Sequence, residues 1–174
     1  NHVRNIRIIP LAYLNNEATM PAFRTDYLAG LQPFHSVRFM DLTWTNSSLH
    51  QEWADRVLPT SHTQGSAKGV AWEYVIQMSN QLGIDPWICV PHKASDNYII
   101  QLATLPKNNL NADRKIYLEF SNEVWNWTFP QAHYVVQNAP LHPNSYVTRD
   151  LAALSTINNV SISGSTFSGS NFVN

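Results

Sequence analysis

Tyr117-Leu118-Glu119-Phe120-Ser121-Asn122-Glu123-Val124-Trp125-Asn126 is the stretch on which the reading of this sequence turns. Lys115 to Phe120 alternates in the manner of a strand. That strand delivers an Asn-Glu pair to its C-terminal end, with an aromatic residue close behind. In β/α barrels the C-terminal strand ends carry the active site. A carboxyl group at such an end, crowded by Trp125 and Trp127, is expected to lose solvation and to titrate high. That is the property a general acid needs near neutral pH.

Working outward, the flanking segments alternate between strand and helix patterns. Asn5 to Ile9 is a β-branched run closed by Pro10, read as a strand. Pro21 opens a helical segment in which Phe23, Tyr27, Leu28 and Leu31 recur up to Pro33. Ser36 to Leu42 is again rich in strand formers, and Thr43 to Lys68 is a long polar excursion of the kind that is usually functional. Ala67 to Leu82 is the clearest helix, with Ala71, Val75, Met78 and Leu82 on one stripe, Ile76 beside it, and Gly83 as its stop. Pro86 to Val90 is a continuous apolar run suited to a strand covered on both faces. Asp96 is placed to cap a helix whose buried side is Ile99, Leu102 and Ala103, and Pro130 starts another helix through Val136.

Four strand-helix units in this order predict an α/β fold with parallel strands and right-handed crossovers. A β/α barrel and an open doubly wound sheet both satisfy the pattern. A complete barrel needs about eight units and about 250 residues, so the 174 residues suit part of one. The expected division is a barrel-like domain over 1–150 and a tail rich in Ser, Asn and Gly over 151–174.

Composition narrows the function classes. Charged residues are 13% of the chain and the formal charge is −1, so no basic surface exists to displace counterions from a nucleic acid. No apolar run approaches the roughly 18 residues of a membrane span. The chain opens on Asn1-His2-Val3-Arg4, without an initiator Met or a signal-peptide pattern, and reads as already cut. Cys89, the single cysteine, lies in an apolar run and is expected to be buried and inert. His92 and Asp96 lie four apart without a third ligand, so neither a metal nor a cofactor is expected. The sequons at Asn46, Asn126 and Asn159 would mark surface positions in a secreted protein.

Three segments together carry a resemblance: Val37-Arg38-Phe39-Met40-Asp41, Trp87-Ile88-Cys89-Val90-Pro91-His92 and Glu119-Phe120-Ser121-Asn122-Glu123-Val124-Trp125-Asn126. In this order they resemble glycoside hydrolase clan A, and within it a cellulase-like or uncharacterised group of secreted barrel proteins. The resemblance covers roughly Asn5 to Val136 and implies the N-terminal half of a TIM-type (β/α)8 barrel. It implies that Glu123 is the acid/base of a retaining hydrolase acting on a β-linked polysaccharide. It implies that Arg38 orients the catalytic carboxylates, that His92 lines the sugar site, and that both belong with Asn122 to the substrate-binding residues. Trp125 and Trp44 follow expected strand ends, where aromatic rings suit a sugar-stacking platform, and Trp127 joins them. Trp72 and Trp87 fall in helix and strand patterns and suit the core.

The sequence departs from the family at two points. Val124 stands where many members have Pro after the catalytic Glu, and the nucleophilic Glu of the seventh strand has no counterpart. The chain alone is therefore expected to be inactive, needing the C-terminal half of the barrel as its partner. Simpler roles stand beside each of these. Glu123 could pair with Arg38 or cap the next segment, Glu119 suits an ion pair, and Arg38 could be a structural cation held by Asp41. The alternative for the whole is a non-catalytic secreted protein, carbohydrate-binding or structural, on a barrel that lost its chemistry.

Overall fold

Three short strands run parallel in the computed structural model, which describes Ile6 and residues 8–138. They are β1 (Ser36–Arg38), β2 (Asp85–Val90) and β3 (Tyr117–Phe120), in the spatial order β1-β2-β3. Arg38 is level with Trp87 and Trp87 with Tyr117, while Cys89 is level with Glu119. The helices are α1 (Thr25–Leu31), α2 (Trp72–Leu82), α3 (Asp96–Asn109) and α4 (Pro130–Asn138). The described residues thus form an α/β domain in which consecutive strands are neighbours.

Alternation along the strands sorts the side chains onto two faces. Val37, Ile88 and Val90 point toward α2 and α3 and share a core with Phe39, Trp72, Val75, Met78, Ile84, Tyr98 and Leu102. The opposite face carries Arg38, Trp87, Cys89, Tyr117 and Glu119. Trp87 is 38% exposed and Tyr117 46% exposed, so no layer covers that face among the described residues. The apolar run of β2 is therefore not buried on both sides, and Trp87 is not a core residue. Its ring lies against Tyr117 with centroids 6.1 Å apart. An indole can be left half in water because its edge is polar.

Helix α2 ends as its sequence requires, with Gly83 in the left-handed conformation at φ 66°. Helix α3 differs from expectation. Ser95, not Asp96, is its cap, its hydroxyl accepting from the Tyr98 N–H at 3.2 Å. The buried stripe is accordingly Tyr98, Leu102 and Pro106, whereas Ile99 and Ala103 are exposed. The helix continues into the Asn-rich link because Asn80 of α2 holds its end. The Asn80 amide donates to the Asn109 carbonyl at 2.7 Å and accepts from the Asn111 N–H at 2.8 Å.

The N-terminal strand expected over 5–9 does not form in the part described. Ile6 and Ile8 are 77% and 96% exposed and pair with no strand, while Asn5 and Arg7 lie outside the described residues. Among the described residues, three of the four expected strands are therefore present. The segment from Ser36 to Leu42 stays extended only as far as Arg38. The tail over 151–174, with the sequon at Asn159, also lies outside the described residues.

The excursion after β1 is ordered and partly buried. Thr43, Thr45, Ser48 and His50 are all less than 4% exposed. It is anchored beside β1 by Gly69, at φ 71°, where the Val70 N–H donates to the Leu42 carbonyl at 3.0 Å. A methyl group on Gly69 would lie 2.5 Å from the Thr43 carbonyl carbon, so only glycine permits this approach. No described helix is long and apolar enough to cross a membrane.

Candidate functional site

The C-terminal ends of β1 and β3 meet through a chain of polar side chains. Arg38, the last residue of β1, reaches over β2 to Glu119 of β3, with Nε to Oε2 at 2.8 Å and Nη2 to Oε1 at 2.7 Å. The second hydrogen of Nη2 goes to Asn122 Oδ1 at 2.8 Å. Burial opposes the charge on Arg38, but the hydrogen bonds and the charge of Glu119 outweigh it and raise its pKa above the ordinary value. The guanidinium also lies 5.5 Å from the centre of the Trp87 ring. Asp41 is exposed and takes no part, so the carboxylate partner of Arg38 is Glu119.

Because a guanidinium only donates, it fixes the Asn122 amide, with oxygen toward Arg38 and nitrogen away. That nitrogen donates to Asn46 Oδ1 at 2.9 Å. Asn46 Oδ1 also accepts from Gln131 Nε2 at 2.7 Å, and Gln131 Nε2 donates again to the Asn122 carbonyl at 3.0 Å. Gln131 Oε1 accepts from the Ser47 N–H at 3.1 Å. Asn46, one of the sequon asparagines, is thus bonded within this region.

Glu123 follows Asn122 and is partly buried. Its Oε2 accepts from Asn126 Nδ2 at 2.8 Å, and its carbonyl accepts from the Asn126 N–H at 2.8 Å. Glu123 and Ser121 both have positive φ, at 43° and 55°, and so do Trp44 and Ser47 on the facing loop, each at 55°. All the non-glycine residues with positive φ among the described residues lie in these two segments. Each such residue costs on the order of 1 kcal/mol, and such strain gathers at functional sites.

His92 lies two residues past the end of β2 and is 4% exposed, packed edge-on against Tyr134 of α4 with ring centroids 5.3 Å apart. Neither of its ring nitrogens has a partner among the described residues. Burial, helped by the charge of Lys93, pushes its pKa down to about 4, so the ring is neutral. Ser121 is fully buried with an unpartnered hydroxyl. Cys89 is buried near Glu119, and burial and then that carboxylate push its thiol up to about 12. A thiol so rarely ionised is a poor nucleophile.

The structure therefore joins Arg38 and Asn122 directly, with Glu123 next in the chain. His92 approaches the same region through α4, the helix that also supplies Gln131. Trp44, Trp125 and Trp127 are 43%, 67% and 57% exposed, so the tryptophans beside Glu123 are largely open to solvent. Trp127 packs against His133 at 5.0 Å. Sequence reasoning passed over Asn46 and Gln131, which carry the middle of the network. Asn46 stood out only as a sequon, and a glutamine in the first turn of a helix carries no signal of its own. Comparison with protein-family models, curated proteins and solved structures gives no significant match.

Proposed function

We propose that these residues form the acid/base half of a carbohydrate-hydrolysing site on a partial β/α barrel. In this reading Glu123 protonates the departing oxygen of an O-glycosidic bond in a β-linked polysaccharide. The observation that carries it is the placement of Asn122-Glu123 at the C-terminal end of β3, with Asn122 oriented by Arg38 from β1. The strained backbone at Ser121 and Glu123 supports it, since local cost is tolerated where a side chain must be aimed. The consecutive order of the strands and their uncovered Trp87–Tyr117 face are what part of a barrel would present.

The reaction needs two carboxyl groups about 5–5.5 Å apart if configuration is retained. Glu119 has both oxygens tied to Arg38, which suits it to orienting Asn122 and not to attacking carbon. The nucleophile is assigned to a later strand of the complete barrel. It attacks the anomeric carbon as Glu123 gives its proton to the leaving oxygen. Glu123 then takes a proton from the water that releases the sugar. Exposed Trp125, Trp127 and Trp44 supply stacking surfaces for sugar rings.

The test compares the full-length polypeptide with its Glu123→Gln variant on a panel of β-glucans. Loss of a general acid is expected to lower kcat/KM by about 100-fold or more. Equal turnover by a folded variant overturns the assignment. Glycan binding without hydrolysis by either protein would leave a carbohydrate-binding role in its place.

A further inference from the structure

Gln131 is completely buried, yet it is a polar residue on a helix whose other buried residues are Ala132 and Val135. Both hydrogens of its amide nitrogen are used, one on Asn46 Oδ1 and one on the Asn122 carbonyl. Its oxygen accepts from the Ser47 N–H. It thereby ties together three separate elements: the loop after β1, the end of β3, and α4. Among the described residues, the two peptide segments it joins hold all four non-glycine residues of positive φ. A buried amide satisfied at every site specifies one arrangement of its neighbours.

We propose that Gln131 is a positioning residue that sets the aim of Asn122, and through it the approach of Glu123 to a sugar. The inference rests on the carbohydrate-hydrolase reading of the same site. Arg38 fixes the oxygen end of the Asn122 amide, and Asn46 takes one hydrogen of its nitrogen. The second hydrogen of that nitrogen has no partner among the described residues. It is the group available to a sugar hydroxyl beside the reacting carbon. Gln131 holds the acceptor, Asn46, and the Asn122 backbone together, so the free N–H keeps one direction.

The experiment uses Gln131→Leu in the full-length polypeptide, with Asn46→Ala as a second variant from outside the helix. Hydrolysis is compared on matched aryl β-glycosides with and without the 2-hydroxyl. Gln131→Leu is expected to lower kcat about 10- to 100-fold on the 2-hydroxy substrate, with KM within about twofold, since a small misplacement at a reacting centre costs this much. On the 2-deoxy substrate the loss is expected to stay below about threefold. Equal losses on both substrates would mean a merely structural glutamine and would overturn the proposal.

A second readout does not depend on catalysis. The side-chain amide protons of Asn122, followed by NMR, are expected to exchange slowly in the unmodified protein. They are expected to exchange at least about tenfold faster in both variants. Unchanged exchange overturns the clamp even if the protein hydrolyses glycans. Faster exchange in a protein that hydrolyses none upholds the clamp and removes only the enzymatic reading.

Discussion

Arg38 and Glu119 stand on the two outer strands and join hands across the middle one, their forked pair lying over the thiol of Cys89. Side-chain exposures of 33% and 28% leave the pair partly screened by water. Two parallel hydrogen bonds and a third to Asn122 nevertheless give Arg38 a geometry that lysine cannot copy.

Removing one member should therefore cost more than an ordinary surface pair. Glu119→Gln is expected to destabilise the fold by about 1–2 kcal/mol. Urea denaturation of Arg38→Met, Glu119→Gln and the double variant would give the coupling. A coupling near zero would show that the strap contributes nothing to holding the strands.

A second buried contact bears on the core. Trp72 Nε1 donates to the Tyr98 hydroxyl at 2.7 Å, and His50 Nδ1 lies 3.1 Å from the same oxygen. The arrangement that satisfies all three has the tyrosine O–H donating to His50 Nδ1. Tyr98→Phe would strand the indole N–H and is expected to cost about 1–3 kcal/mol, read as a lower urea midpoint. A variant as stable as the unmodified protein would contradict this hydrogen-bond assignment.

Acid should weaken the fold through His92. Its ordinary pKa is 6.5 and burial lowers it to about 4, so the unfolded chain takes up the proton first. Stability from this group is complete above about pH 6.5, falls as pH drops, and levels off below about 4. The expected loss is about 2 kcal/mol, allowing for relaxation around the charged ring. Denaturation curves at several pH values should show a shallower acid slope in His92→Phe. Parallel slopes in the two proteins would contradict the assignment.

Much of this organisation was legible in the sequence because local signals agreed with one another. The stripe ending at Gly83 marked the end of α2 but not its start, which lies at Trp72 and not at Ala67, and the alternation before Asn122 placed β3 within two residues. Covering of the sheet was not legible. Trp87-Ile88-Cys89-Val90 reads as apolar throughout, yet Trp87 faces an open side while Cys89 is shielded by an ion pair, a difference set by the neighbouring strands. The face of α3 was misread by one position because Ser95 and Asp96 are both good caps. Tertiary bonding decided between them, since Trp72 and His50 claim the hydroxyl of Tyr98. At the site, Arg38, Asn122, Glu123 and His92 could be proposed from strand ends. Asn46 and Gln131 could not, because hydrogen-bond partners 85 residues apart leave no trace in spacing.

The glycine at 69 has a bearing on how this segment can change. A side chain there collides with main-chain atoms of Thr43, which cannot swing aside as a rotamer would. The long excursion is consequently riveted at its far end. Variation in its length is absorbed most readily around residues 58–60, which are exposed. The excursion leaves β1 and returns to it at one tight crossing, residue 69 over the main chain of Thr43.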